Sequence, residues 1–273
     1  MSVAEEVASA RTYLFVPASR PDRFQRACES GADVVILDLE DAVPPPGKAA
    51  AREAAVNWLA SPRGGPVTMV RINAVGTPWH EADVTALRKS GAPLMLPKAE
   101  SSDQIARLGR CVDDLVVVAL IETPRGVLRA EEIAAAPATA RLALGHIDLA
   151  AALGVRPDAR EAFLHARSQL VLASAAAGIA SPVDGVTTAL GDVERLRDDV
   201  TYAEAVGMTG KLCIHPRQIG VVHDAIRPSE TDIEWARRVV ASVGDGGAAA
   251  VDGEMIDPPV IARARRLLLL AQR

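Results

Sequence analysis

The residues of this chain that could do chemistry gather just after short apolar runs. Asp38, Glu40 and Asp41 close one run, Arg71 and Asn73 a second, and Lys98 and Glu100 a third. Glu122 and Arg125 follow another, then His146 and Asp148, and finally His215. Glu122 and Asp148 come from successive runs, so they can meet at one point if those runs are neighbours in space. With no His or Cys pair beside them, two carboxylates suit a hard cation. Mg²⁺ takes one or two protein carboxylates and keeps its other positions for water and substrate oxygens. That leaves room for a chelating 2-oxo or 2-hydroxy acid. Arg71 and Lys98 in the same mouth suit an anion that gains oxyanion or enolate charge as it reacts. Each residue alone has a plainer role, Asp148 as the cap of the next helix and Lys98 in a structural ion pair. Together they point to metal-assisted chemistry on a small acid, and spacing carries the argument no further.

Other chemistries lack their residues. The five histidines, His80, His146, His165, His215 and His223, show neither HExxH nor HxH spacing, which disfavours a zinc hydrolase. There is no GxSxG elbow and no P-loop. Cys28, Cys111 and Cys213 are far apart and odd in number, which fits reduced thiols in a cytoplasmic protein better than disulfides or structural zinc. Lys and Arg total 30 against 35 Asp and Glu, interspersed, and aromatic residues make up 3%, so nucleic acid is not an expected partner. No apolar run reaches the roughly 20 residues of a membrane span. Met1–Ala10 has neither the basic nor the apolar region of a secretory signal.

A shared mouth requires elements that bring these run ends together. The runs are Tyr13–Pro17, Ala32–Leu39, Val67–Ile72, Pro93–Pro97, Leu115–Ile121, Arg141–Leu144, Ile179–Val186 and Gly210–Ile214. Helical stretches follow them at Pro21–Ser30, Lys48–Ala60, Pro78–Ser90, Ser102–Arg110, Gly126–Ala136, Asp148–Gly178, Asp192–Val206 and Pro216–Ile226. Continuous apolar strands alternating with helices predict a parallel sheet covered on both faces. Eight such units predict a closed (β/α)8 TIM barrel, an α/β fold whose chemistry sits at the C-terminal ends of its strands. The alternative, a doubly wound open sheet, calls for a G-x-G-x-x-G turn after the first strand, where Pro17–Arg20 stands instead. The expected organisation is a flexible N-terminal tail over 1–11, the barrel over 12–228 and a C-terminal helical extension or lid over 229–273. In that extension helices are expected over Ser229–Val243 and Val260–Gln272. The Gly244–Gly247 stretch between them reads either as the hinge of a lid or as a plain loop.

Seven blocks in order carry a resemblance. They are Phe15–Ala18 with Arg20–Phe24, Asp33–Val43, Val70–Asn73, Leu96–Glu100, Ile121–Gly126, Cys213–Gln218 and Met255–Pro258. Over about residues 12–270 the chain resembles the citrate lyase β-subunit-like proteins of the HpcH/HpaI aldolase superfamily, which include malyl-CoA and citramalyl-CoA lyases. The resemblance implies one Mg²⁺ per subunit held by Glu122 and Asp148, with Arg71 binding the acid and its developing oxyanion. It implies cleavage of a short 3-hydroxyacyl-CoA, of the citramalyl, malyl or citryl type, into acetyl-CoA and an oxo acid. Asp257 would protonate the enolate, often from a neighbouring subunit, and a homotrimer is the favoured assembly. Arg20, Arg23 and Arg26 are candidates for the CoA phosphates, Lys98 for substrate binding, and Glu40 and Asp41 for orienting Arg71 or the metal's waters. His215 is expected to cap or pack. Many relatives carry an acidic residue just before the metal aspartate, where this chain has His146-Ile147. A malyl-CoA thioesterase, a CoA-independent 2-oxo-acid aldolase and a non-catalytic subunit are the alternatives.

Overall fold

The computed structural model describes residues 1–61, 64–242, 250–251 and 254–271. Eight parallel strands close into a barrel in sequence order. They are β1 (Thr12–Pro17), β2 (Val34–Asp38), β3 (Val67–Arg71), β4 (Leu94–Leu96), β5 (Val117–Ile121), β6 (Thr139–Leu144), β7 (Ala180–Asp184) and β8 (Gly210–Cys213). Closure comes from β1 pairing with β8, Thr12 opposite Lys211. An open doubly wound sheet is thereby excluded.

Side chains of period two fill the barrel. Val34 and Ile36, Met69, Val118 and Leu120 point inward and share one buried cluster with Tyr13, Met95, Ala143, Val183 and Leu212. The same alternation, carried two residues further, turns Asp38, Arg71 and Glu122 into the mouth. Strand pairing then sets their order, because Asp38 lies opposite Arg71 in the β2–β3 register.

Residues 1–11, expected as a flexible tail, are ordered. Val3–Ser9 is a helix with a reciprocal cap between Ser2 and Glu5. Val7 and Ala10 join the barrel's buried cluster, and Tyr13 Oη donates to Val7 O. Arg141, fully buried, donates to Ala10 O at 2.5 Å, Ser181 O at 2.6 Å and Thr209 Oγ1 at 2.8 Å. The helix therefore plugs the N-terminal end of the barrel, opposite the mouth.

Two of the expected helices are broken. Asp148–Gly178 divides into His146–Leu153 and Leu164–Ala176. Gly154, at φ 68°, ends the first with a left-handed cap that a residue with a Cβ adopts only under strain. Gly126–Ala136 divides at Arg129 into Pro124–Leu128 and Ala130–Ala134.

The described residues form two compact units, Met1–Ala225 and Ile226–Arg273. In the second, helices Glu230–Ser242 and Pro258–Ala271 bury Ala236, Val239 and Ala264 beside Trp235, whose ring lies 4.9 Å from the Arg263 guanidinium. Ala250–Val251 pairs antiparallel with Glu254–Met255. The Gly244–Gly247 stretch lies outside the described residues. Among the described residues no helix is long and apolar enough to cross a membrane.

Candidate active site

The C-terminal mouth of the barrel holds a cavity of about 420 Å³. Arg71, at the end of β3, is its anchor. The guanidinium donates to both oxygens of Asp38, Nε to Oδ1 and Nη2 to Oδ2, each at 2.7 Å. Nη1 lies 3.2 Å from Glu40 and 3.3 Å from Asp41, and the Phe15 ring covers the guanidinium at 4.8 Å. Burial works against the Arg71 charge, but Asp38, Glu40 and Asp41 more than offset it and push its pKa up. Asp38 is saturated in turn, since it also accepts the backbone N–H groups of Glu40 and Ala42. The loop after β2 is thus folded around the carboxylate that fixes Arg71.

Lys98 is the second cation, and it stands at the meeting point of three carboxylates. Its Nζ is 2.9 Å from Glu40, 3.1 Å from Asp148 and 3.7 Å from Glu122. Its backbone N–H donates to Glu122 Oε1 at 2.9 Å, and its backbone sits at φ 50°, a left-handed conformation costly for a non-glycine residue. Burial opposes the ammonium charge, and the hydrogen bond to Glu40 and the charge of Glu122 outweigh it, raising its pKa.

Glu122, at the top of β5, is buried, and its carboxyl is pushed up to about 8 by that burial and by the neighbouring charge of Glu40. Space for it depends on Gly145, where a Cβ would come within 2.5 Å of Glu122 Cβ and Oε2. Asp148 occupies the first turn of helix His146–Leu153 and is partly exposed to the mouth. It does not cap that helix, because the cap position is Gly145. Burial likewise raises the Glu40 carboxyl.

This arrangement fits a hard dication. Glu122 and Asp148 reach a common point from neighbouring strand ends, marked by the Lys98 ammonium. Five carboxyl groups, Asp38, Glu40, Asp41, Glu122 and Asp148, surround two cations, an excess of acidic groups that a dication would offset. Among the described residues no three His, Cys, Asp or Glu side chains form a ligand cluster. A pair of carboxylates with the remaining positions left to water and substrate is the pattern of Mg²⁺ rather than of a structural zinc.

A second cavity of about 370 Å³ shares Phe15, Pro17 and Ile214 with the first and is lined by Arg23, Arg26, His215 and Arg217. His215 Nδ1 accepts from Arg217 N at 3.1 Å, so it caps as expected. Arg20 lines neither cavity, being exposed and paired to Asp22 at 2.7 Å. Asp257 lies in the second unit, where its Oδ1 accepts from Val260 N at 3.0 Å at the head of the last helix. His146 is buried against Phe163, and its Nδ1 has no hydrogen-bond partner among the described residues. Burial pushes its pKa down to about 4, so the ring is neutral. Cys213 is buried, and its thiol is pushed up to about 12, which rules it out as a nucleophile.

The HpcH/HpaI aldolase/citrate lyase model matches residues 11–216. The chain belongs to that family. A citrate lyase subunit beta-like protein of Mycobacterium tuberculosis is 44% identical over 264 residues, covering 94% of this chain and 93% of the relative. A (3S)-malyl-CoA thioesterase of Cereibacter sphaeroides is 33% identical, covering 96% of this chain and 94% of the relative. Among solved structures, CitE of M. tuberculosis in complex with magnesium, acetoacetate and coenzyme A superposes with a TM-score of 0.84 at 42% identity. That match covers 97% of this chain and 100% of the other. The protein is therefore an enzyme of the aldolase/citrate lyase type, and the carboxylate-rich mouth is where the family's barrel would be expected to work.

Sequence reasoning brought Arg71, Glu122, Lys98, Asp148, Glu40 and Asp41 to one mouth. It missed Asp38 as the partner that fixes Arg71. The signal was the alternation Val34, Ile36, Asp38, which turns the carboxylate inward like the core residues before it. It also missed Gly145, whose lack of a side chain makes room for Glu122.

Proposed function

We propose that the protein is a Mg²⁺-dependent carbon–carbon lyase that cleaves a short 3-hydroxyacyl-CoA into acetyl-CoA and an oxo acid. The observation that carries this reading is the convergence of Glu122 and Asp148 at one point beside Arg71. Magnesium-bound relatives support the choice of metal, and the CoA complex of the M. tuberculosis protein supports the thioester. Glu122 and Asp148 are the residues that would hold the ion. When bound, the ion supplies Lewis-acid stabilisation of negative charge on substrate oxygens.

The chain's own residues divide the remaining work. Arg71, held rigid by Asp38, binds the substrate carboxylate and stabilises charge developing beside it. Lys98 adds a second positive group, and Glu40 and Asp41 orient both cations. The second cavity takes the phosphates of CoA on Arg23, Arg26 and Arg217, with the thioester arm passing over Phe15, Pro17 and Ile214; Arg20 is near enough in sequence to join them once released from Asp22. In the reaction the hydroxyl gives up its proton to solvent water, the carbinol C–O becomes the C=O of the oxo acid as the Cα–Cβ bond breaks, and that bond's electron pair passes to the thioester as an enolate. Asp257 of the partner subunit returns a proton to the enolate carbon. This requires a homo-oligomer, with a trimer favoured, in a cytoplasmic enzyme. The extension over 229–273 is the segment that would carry Asp257 to the neighbouring mouth.

The malyl-CoA thioesterase relative supports a second reading, hydrolysis of the thioester with the carbon skeleton intact. Mass-spectrometric product analysis of a thioester panel with Mg²⁺ separates the two. The lyase releases acetyl-CoA and an oxo acid. The thioesterase releases free CoA and the intact hydroxy acid. Turnover of pyruvate with aldehydes, indifferent to CoA, would instead reveal a CoA-independent aldolase.

A further inference from the structure

Arg71 and Lys98 are linked by one side chain. Glu40 lies 3.2 Å from Arg71 Nη1 and 2.9 Å from Lys98 Nζ, and among the described residues no other carboxylate pairs with both cations. The placement of the two cations therefore depends on where the chain after β2 carries Glu40. A buried lysine holds that chain. Lys48, the first residue of helix Lys48–Leu59, is 5% exposed. Its Nζ donates to Leu39 O and Glu40 O at 2.7 Å each and to Asn73 Oδ1 at 2.6 Å, which uses all three ammonium hydrogens. The Trp79 ring lies 5.0 Å away. None of the three acceptors is a carboxylate, and a cation in the first turn opposes the helix dipole. Burial and the helix thus both disfavour an ammonium here, yet its bonds go to the two segments that carry Glu40 and Arg71. Asn73 is fixed in turn. Its N and Nδ2 donate to Asp83 Oδ2 at 2.9 and 2.6 Å, which leaves Oδ1 for Lys48, and Arg52 Nε donates to Asp83 Oδ1 at 2.6 Å. Neither Lys48 nor Asn73 is among the described residues that line the mouth cavity.

We infer that Lys48 is a positioning residue, which ties the end of β2 to the end of β3 and so places the Glu40 carboxylate between Arg71 and Lys98. The inference rests on the lyase reading above for the reaction in which it is measured. Lys48 touches no reacting atom and acts through the main chain of Leu39 and Glu40. Without its ammonium, two carbonyls lose their donor and the segment carrying Glu40 is released from Asn73. A displacement of about 1 Å at a working group costs about 100-fold in rate. Because the route runs through Glu40, the effect should disappear once the Glu40 side chain is gone. Two residues that act as a unit give non-additive losses, whereas a general loosening of the fold adds to any other loss.

The test is a double-mutant cycle of Lys48→Met and Glu40→Ala. It is read in kcat for acetyl-CoA release and, separately, in the Kd of pyruvate with Mg²⁺ by calorimetry. Lys48→Met alone should lower kcat by about 30-fold and weaken pyruvate by about 10-fold. In the Glu40→Ala background the same replacement should change either by less than about 2-fold. Asn73→Ala, which removes one anchor and keeps the ammonium, runs through the same cycle in case Lys48→Met folds poorly. It should lower kcat by about 5-fold alone and leave the Glu40→Ala background unchanged. Equal losses in the two backgrounds, or no loss from either replacement, overturn the inference while leaving the lyase reading intact. A wild type that binds pyruvate with Mg²⁺ but releases no acetyl-CoA overturns the lyase reading, and the cycle in Kd then decides the role of Lys48. A wild type that does neither overturns both.

Discussion

Asp38 and Arg71 face each other across the β2–β3 register and are joined by two parallel hydrogen bonds of 2.7 Å each. Bidentate pairing of this kind fixes the plane of the guanidinium as well as its position. Because both groups are buried, removing one strands the other.

Asp38→Ala is therefore expected to cost about 3–5 kcal/mol of stability, the usual penalty for breaking a buried pair from one side. Denaturant unfolding measures it. Asp38→Asn keeps the loop hydrogen bond to one oxygen but loses the charge. It should raise the substrate KM with a smaller loss of stability. Wild-type stability in Asp38→Ala would show that Arg71 is held by Glu40 and Asp41 instead.

Lys98→Met removes the ammonium from the point where Glu122 and Asp148 meet. Magnesium affinity, read by calorimetric titration, should then rise by about 10-fold as a competing positive charge disappears. Substrate KM should rise in the same variant. Weaker Mg²⁺ binding would mean that Lys98 organises the carboxylates rather than competing for them.

The barrel architecture was legible because its strands are apolar runs bounded by turn residues, and closure followed from their number. The N-terminal plug was not. Val3–Ser9 offers few large apolar residues, so its polarity reads as a tail, and its burial arises from Arg141 and Tyr13, which lie far along or beyond it in sequence. The break after Leu153 was legible in Gly154 and Pro157, both of which stop a helix, although the Ala-rich stretches before and after them read as one element. The site's acids were legible as strand-end residues. The bond from Lys98 N–H to Glu122 was not, because it depends on a left-handed backbone at a lysine. Arg20 read as a phosphate ligand because the i+2 pairing with Asp22 cannot be told from a free arginine by composition.

The plug makes its own prediction. Arg141→Met should lower stability by about 3 kcal/mol or more, since it leaves the carbonyls of Ala10 and Ser181 buried without their donor. Deletion of residues 1–9 should lower it comparably. Thermal melts at fixed pH and ionic strength provide the comparison. An unchanged melting temperature in both variants would contradict a structural role for the helix.

His146 predicts a slope of stability with pH. Folded His146 stays neutral down to about 4, while the unfolded chain's imidazole takes a proton near its ordinary value of 6.5. Between those values the unfolded state binds more protons, so this contribution rises with pH and is lost as pH falls from 6.5 towards 4. Against wild type, His146→Leu should show a shallower decline over that window. An identical slope in the two proteins would place the pH dependence elsewhere.

The second cavity predicts a split in kinetics. Arg23→Ala and Arg26→Ala should each raise KM for a CoA thioester by about 10-fold with kcat little changed, because uniform binding energy is lost. The corresponding pantetheine thioester, which lacks the nucleotide phosphates, should be unaffected. Equal losses on both substrates would move the phosphate site away from these arginines.

The central claim is that Glu122 and Asp148 act as one pair. The most direct measurement is release of acetyl-CoA from a 3-hydroxyacyl-CoA with and without EDTA, in the wild type, Glu122→Ala and Asp148→Ala. The account predicts activity abolished by EDTA and restored by Mg²⁺ in the wild type, and activity lost by about 1,000-fold or more in each variant whatever the Mg²⁺ concentration. Wild-type turnover that survives chelation, or full activity in either alanine variant, would contradict it.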